Sequence, residues 1–358
     1  MAIFRLIGQM RIRWMLAALL VVLPVVSTAA WGQLAPSPDA PPVSTAPAQP
    51  ADDQSVATFK FNVNLVSVFF TVKAKDGTLV PHLGKDDCTV SEDKQPQTLK
   101  SFVAETDLPL TLGILLDTSG SQYRVLPLEQ QTAGQFLERV LRKKDEAFAL
   151  SFDVNVDMLQ DFTNNAHQLS HALDKAEINT AGGNGAAGIP GAGGGTVPVY
   201  GTPKGTVLYD AVYLAAREKL NQETGRKAMI LLTDGEDEGS DHKIGEAIEA
   251  AEKTNVIVYV ILIADRGFYG GFGYSGYSAM KKLTEETGGR VIDVGNNGKK
   301  LEAAFQQIED ELRTQYLATY TPSNTRLDGG FRHLDVACRG DSLKIQTRKG
   351  YYAVAPSE

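Results

Sequence analysis

Leu112-Gly113-Ile114-Leu115-Leu116-Asp117-Thr118-Ser119-Gly120-Ser121 decides how this chain folds. The run up to Leu116 has no polar interruption. That marks a strand buried on both faces, and such strands belong to parallel sheets covered by helices. The run stops on a carboxylate, and two hydroxyls follow at alternate positions. These are hard oxygen donors, suited to Mg²⁺ or another small divalent cation. Taken alone, the same residues also serve as a helix start, with Ser119 or Ser121 as N-cap.

Two further segments shift that balance. Ala228-Met229-Ile230-Leu231-Leu232-Thr233-Asp234-Gly235 is a second buried-strand run, and it ends in a carboxylate and a turn glycine. Gly205-Thr206-Val207-Leu208-Tyr209-Asp210-Ala211 leaves a glycine-rich loop and places Thr206 just before a helix with apolar residues at Val207, Val212, Leu214 and Ala215. In an open α/β sheet the carboxyl ends of strands share one edge, and sites form where the strand order reverses. Structural need alone gives little reason for all three donor segments to reach that edge.

The set Asp-x-Ser-x-Ser, then Thr, then Asp, resembles the von Willebrand factor A family. Asp117, Ser119, Ser121, Thr206 and Asp234 match that family's metal-ion-dependent adhesion site. The resemblance implies that the two serines and the threonine coordinate an ion directly or nearly so. It implies that the aspartates act mostly through bound water, and that an acidic side chain from a protein partner completes the octahedron. The implied ion is Mg²⁺, with Mn²⁺ or Ca²⁺ as alternatives. The implied role is a metal-dependent protein-binding module of the adhesion type, not an enzyme. Val90-Ser91-Glu92-Asp93, Thr287-Gly288-Gly289-Arg290, Tyr320-Thr321-Pro322 and Arg348-Lys349-Gly350-Tyr351-Tyr352-Ala353 extend the likeness to the A-domain-related proteins numerous in acidobacteria. The alternative role is a structural or assembly subunit of the bacterial envelope, in which the metal only stabilises the fold.

Composition agrees with a globular chain of more than one domain. Its 358 residues are 43% hydrophobic and 22% charged. The net charge of −8 argues against nucleic-acid binding, which needs a basic face. No Walker motif, serine-nucleophile elbow or paired cysteine nucleophile occurs.

Residues 1–30 read as a secretory signal: Arg11 and Arg13, an apolar stretch from Trp14 to Val26 broken by Pro24, then small-x-small at Ser27-Thr28-Ala29 or Thr28-Ala29-Ala30. The competing reading is an uncleaved anchor, the one route to a membrane. The apolar run is short against the ~20 residues of a spanning helix, so cleavage is favoured. Export places the protein in the periplasm, on the cell surface or outside the cell. Residues 31–57 carry Pro36, Pro38, Pro41, Pro42, Pro47 and Pro50 and read as an extended linker.

Beyond the linker, 58–106 alternates at period two, with Phe59, Phe61, Val63, Leu65 and Ser67 on one register and a turn signal at Asp76-Gly77. Residues 107–315 alternate strand and helix. Strands are expected at 111–117, 146–152, 154–159, 227–233, 255–263 and 290–294. Helices are expected near 125–142, 164–176, 206–221, 241–253, 278–287 and 298–314. The fold class is therefore α/β: a Rossmann-like A-type domain with a mostly parallel sheet and helices on both faces. The gap between 152 and 154 is too short for a crossover helix and predicts one antiparallel edge strand. Residues 316–354 return to strands. They are too few for a core of their own and should pack with 58–106 into a small β-domain.

The chain has two cysteines. Cys88 alternates with Val90, and Cys338 with Val336 and Leu334, so each faces an apolar side. Export permits a disulfide between them; two separate buried thiols are the other reading.

Three motifs are weighed and set aside. Gly271-Phe272-Gly273-Tyr274-Ser275-Gly276 mimics a dinucleotide fingerprint but starts too far past the strand end. It reads as an aromatic surface loop on the metal-bearing face. His167 and His171 lack the Glu of a metalloprotease helix, since Gln168 stands there. Asp234-Gly235-Glu236-Asp237-Glu238 mimics a calcium loop but lacks the twelfth-position carboxylate, where Gly245 stands. The glycine-rich stretch 181–205 is either a tolerated loop or a mobile lip beside Thr206.

Overall fold

A computed structural model of the chain describes residues 65–104, 108–178, 205–263 and 276–354. The export signal expected over 1–30, the linker over 31–57, residues 58–64 and most of the glycine-rich loops 181–205 and 267–278 lie outside the described residues.

The first strands are β1 (Val66–Lys73), β2 (Cys88–Glu92), β3 (Gln95–Pro96) and β4 (Leu99–Ala104). The α/β part follows as β5 (Leu110–Asp117), α1 (Leu126–Val140), β6 (Glu146–Phe152), β7 (Val156–Thr163), α2 (Ala166–Leu173), α3 (Leu208–Leu214), β8 (Arg226–Thr233), α4 (Ile244–Lys253), β9 (Val256–Leu262), α5 (Gly276–Thr287), β10 (Val291–Asp293) and α6 (Gly298–Arg313). The chain returns through β11 (Tyr316–Tyr320), β12 (Phe331–Cys338), β13 (Lys344–Thr347) and β14 (Gly350–Tyr352).

The central sheet has the order β10-β9-β8-β5-β6-β7. All its neighbours are parallel except β7, which runs antiparallel to β6 at the edge. Every residue of β5 is buried, which explains its unbroken apolar run. Successive side chains leave it on opposite faces. Leu112, Ile114 and Leu116 pack with Phe136 and Leu137 of α1 and Phe305 and Ile308 of α6. Leu115 packs on the other face with Val212 of α3, Ile248 of α4 and Leu283 of α5. The fold is thus the mostly parallel, doubly covered α/β sheet expected, with one antiparallel edge strand.

Two local differences have physical causes. The second strand of the hairpin begins at Val156, because Asp153 to Asn155 form the turn, with the Asp153 amide donating to the Asn155 carbonyl. The helix expected over 206–221 is two pieces. α3 ends at Leu214, and Ala215–Leu220 continues as a π-helix. Leu214, the last residue before the change of pitch, is 37% exposed.

The remaining strands form two four-stranded sheets, β13-β1-β11-β4 and β14-β12-β2-β3, each built from both ends of the chain. They share a core that includes Val68, Phe70, Val90, Tyr316, Tyr320, Leu334 and Val336. Cys88 and Cys338 stand opposite each other in the β2–β12 register and are joined by a disulfide. The inward register of β1 is Val66, Val68, Phe70 and Val72, so Leu65 and Ser67 fall outside this core. Phe69, on the opposite face of β1, is buried near Ala251, Val256 and Ile257 at the end of α4 and the start of β9.

This sandwich meets the α/β part at the amino-terminal ends of the parallel strands. Glu311, at the end of α6, bonds Lys73 Nζ at 2.9 Å and Gln346 Nε2 at 3.1 Å, and pairs with Arg290 at 2.5 Å. The Lys349 amide donates to the Glu286 carbonyl at 3.0 Å. Asp117 closes β5 and Asp234 follows β8 at the opposite, carboxyl-terminal ends of these strands. Among the described residues no helix is long and apolar enough to cross a membrane.

Candidate metal centre

β5 and β8 are neighbours in the middle of the sheet, yet the chain leaves β5 toward β6 on one side and later returns to β8 on the other. The strand order therefore reverses between them, where an open α/β sheet forms its crevice. Asp117 is the last residue of β5, and Asp234 follows the last residue of β8.

Hydrogen bonds fix both carboxylates. Asp117 Oδ1 accepts from the Ser119 amide at 2.9 Å, and Asp117 Oδ2 accepts from Thr233 Oγ1 at 2.6 Å. Thr233 Oγ1 in turn accepts from the Gly235 amide at 2.9 Å. Gly235 has φ +84°, the left-handed region that a glycine enters at low cost. That turn lets the chain fold back after Asp234. Asp234 Oδ1 accepts from the Glu236 amide at 3.1 Å, and Asp234 Oδ2 accepts from Ser121 Oγ at 2.5 Å. Ser119 Oγ and Ser121 Oγ lie 3.0 Å apart. Four of the five residues singled out in the sequence thus form one oxygen cluster.

Thr206 reaches the same edge by backbone contacts. Thr118, between the two donor positions on β5's exit, bonds Asp153 Oδ2 at 3.1 Å, and the Asp153 carbonyl accepts from the Val207 amide at 2.7 Å. On the other side the Thr206 carbonyl accepts from the amides of Glu238 and Gly239 at 3.0 and 3.2 Å. Gly239 is needed there, because a Cβ would lie 2.7 Å from the Gly205 nitrogen. The first turn of α3 is stitched to the same loop. The Tyr209 amide donates to Asp237 Oδ1 at 3.1 Å, and Asp210 accepts from the amides of Asp241 and His242, each at 2.9 Å. Thr206 is half-buried between these contacts. Among the described residues no hydrogen bond joins its side chain to the other four, so the structure brings it to the cluster's edge without joining it.

Asp117 and Asp234 are both buried, so each carboxylate carries a desolvation cost. Burial first, then the charge of Asp234, raises the Asp117 carboxyl well above the usual carboxylate range; the hydrogen bonds from Ser119 and Thr233 oppose this. Glu129, in the first turn of α1, is fully buried, and burial first, with the charges of Asp117 and Asp234 adding to it, raises its carboxyl well above the usual range. Two carboxylates and serine hydroxyls are a hard donor set. Ligand oxygens at ~2.1 Å in an octahedron stand about 3.0 Å apart along an edge, and the two serine oxygens already have that spacing. The residues present therefore fit a small divalent cation. Among the described residues no group of three His, Cys, Asp or Glu side chains is arranged as a metal cluster, so the fit rests on hydroxyls.

The other motifs fall elsewhere. His167 is exposed, 3.4 Å from Glu138, and His171 is also exposed. Asp237, of the calcium-like stretch, is turned to α3 and Ser240. Gly276, the end of the aromatic loop, donates its amide to Glu236 Oε1 at 2.8 Å, beside the backbone of Asp234 and Gly235. Sequence reasoning missed Thr233, Asp153, Gln122 and Glu129. The first two sit at strand ends, where a polar residue is commonplace. Only the heptad-like phase of Glu129 with Leu126, Ala133 and Phe136 could have exposed it.

No protein-family model and no curated protein matches the chain. Several solved structures are similar to it. A conserved hypothetical protein, BatB from Bacteroides thetaiotaomicron, is 17% identical, covers 57% of this chain and 99% of its own, and has a TM-score of 0.41. Proximal thread matrix protein 1 from the mussel byssus, with a zinc-occupied MIDAS motif, is 13% identical over 62% of this chain and 49% of its own, with a TM-score of 0.43. The PilB minor pilin from Streptococcus sanguinis is 13% identical over 58% of this chain and 62% of its own, with a TM-score of 0.39. With every TM-score below 0.5, these likenesses carry no functional weight.

Proposed function

We propose that the chain is an exported binding module that captures a protein partner through a divalent cation held by Asp117, Ser119, Ser121, Thr206 and Asp234. The observation that carries the reading is the oxygen cluster at the switch point of the sheet, with two buried carboxylates of like charge and two hydroxyls at ligand spacing. The cation, Mg²⁺ by donor chemistry, would supply an electrophilic position that a partner's carboxylate can fill.

The chain's own residues do the rest. Thr233 and the Ser119 amide hold Asp117, and Ser121 holds Asp234, so the donors are oriented before anything binds. The sandwich docks at the far edge of the sheet. Tyr123 is 72% exposed two residues beyond Ser121, and Tyr277 is 45% exposed one residue beyond Gly276. Exposed tyrosines beside a polar centre suit a protein contact.

A pull-down from the native envelope fraction tests the reading. A partner captured in Mg²⁺ and released in EDTA, while circular dichroism shows the protein still folded, supports it. A partner retained in EDTA, or metal that only raises the unfolding temperature, favours the envelope-subunit alternative, in which the metal stabilises the fold.

A further inference from the structure

Glu129 is an acid in a place built for an apolar residue. It shares the inward phase of α1 with Leu126, Ala133, Phe136 and Val140, all of them buried. It has no exposed surface, and neither carboxylate oxygen has a hydrogen-bond partner among the described residues. Gln122, also buried, holds its Nε2 at 3.5 Å from Ser121 Oγ, and its Oε1 has no partner either. Three buried acceptor oxygens, one on the residue after Ser121 and two in the first turn of α1, therefore have no protein donor among the described residues. Buried polar atoms of this kind are satisfied by ordered water or by a cation. The charges of Asp117 and Asp234 act on Glu129, which puts it in one electrostatic group with the two aspartates.

We propose that Glu129 is a third carboxylate of the cation centre, a positioning residue that acts on the ion through bound water behind the Ser119–Ser121 loop. The inference rests on the reading of the cluster as a cation site. Packing gives no other reason for the acid: a Leu at 129 would fill the same phase without an unsatisfied group. Outer-shell partners that hold metal-bound water are worth 10–100-fold in metal affinity.

The test is calorimetric titration of Mg²⁺ and of Mn²⁺ into the full chain, with thermal unfolding in EDTA and in Mg²⁺. The variants are Glu129→Gln, which keeps the shape, and Glu129→Leu, which removes the polar group. Both should bind each cation at least ten-fold more weakly than the wild type. Neither should unfold at a lower temperature than the wild type in EDTA, and both should lose most of the stabilisation that Mg²⁺ gives. Cation affinity of Glu129→Gln within two-fold of the wild type would overturn the role of Glu129 and leave the centre standing. No saturable cation binding by the wild type would overturn both.

Discussion

At the scale of single residues, the centre depends on a threonine that carries no ligand role. Thr233 Oγ1 donates to Asp117 and accepts from the Gly235 amide, so it ties the ends of β5 and β8 together. Thr233→Val keeps the shape and removes both bonds. Leaving a buried acceptor and a buried amide unpaired should cost about 1–3 kcal/mol in urea unfolding. Cation affinity should fall by about 10-fold or more, as for other outer-shell partners. Unchanged affinity would mean that Asp117 is not oriented by Thr233. The four clustered residues, Asp117, Ser119, Ser121 and Asp234, were legible in the sequence because they follow apolar runs, where a polar residue stands out. Thr233 was not, since nothing in a linear pattern says which of two adjacent polar residues faces a carboxylate across the sheet. Glu129 was hidden for a related reason: an acid in an amphipathic helix reads as solvated until its neighbours are known.

At the scale of elements, α3 positions Thr206. Its first turn is bound to the loop after β8 by Asp237 and Asp210, and to the end of β6 through Val207. Asp237→Ala removes the acceptor of the Tyr209 amide and of Ser240 Oγ. A loss of about 1–2 kcal/mol is expected, as for other carboxylates that receive helix-start amides. Cation affinity should weaken with it, because Thr206 precedes that turn. Equal affinity in the variant and the wild type would argue that Thr206 is not a ligand. The strands and helices of the α/β part were legible from their periods: unbroken apolar runs for β5, β8 and β9, and core-facing phases for the helices. The π-helical continuation of α3 was not, because Ala215 and Ala216 fit either pitch. The inward register of β1 was also hidden, since both faces of that strand are covered, one by the sandwich core and one by α4 and β9.

At the scale of the whole molecule, the seam between the sandwich and the α/β part should make stability depend on pH. Glu252, near the end of α4, is buried there, and burial first, then Glu286, pushes its carboxyl up to about 8; Arg348 opposes this. The folded state therefore binds a proton that the unfolded state releases near pH 4–5. Its contribution is fully present below that pH and is lost as pH rises toward 8. Between pH 5 and 9 the wild type should lose on the order of a few kcal/mol more than Glu252→Gln; parallel curves would contradict this. The disulfide acts at the same scale. Cys88 and Cys338 are 250 residues apart, and closing so long a loop should stabilise the protein by about 2–4 kcal/mol. Reductant should lower the unfolding temperature without altering cation affinity, because the bond lies in the sandwich and the centre on the opposite edge. The sequence placed both cysteines on apolar faces; only the register of β2 against β12 brings them together.

The central claim is that the ends of β5 and β8 hold a divalent cation. Isothermal titration of Mg²⁺ into the purified chain, its Asp117→Ala variant and its Asp234→Ala variant tests it most directly. The account predicts one saturable site in the wild type and none in either variant, with all three proteins folded. No saturable heat in the wild type, or the same site surviving in both variants, would contradict it.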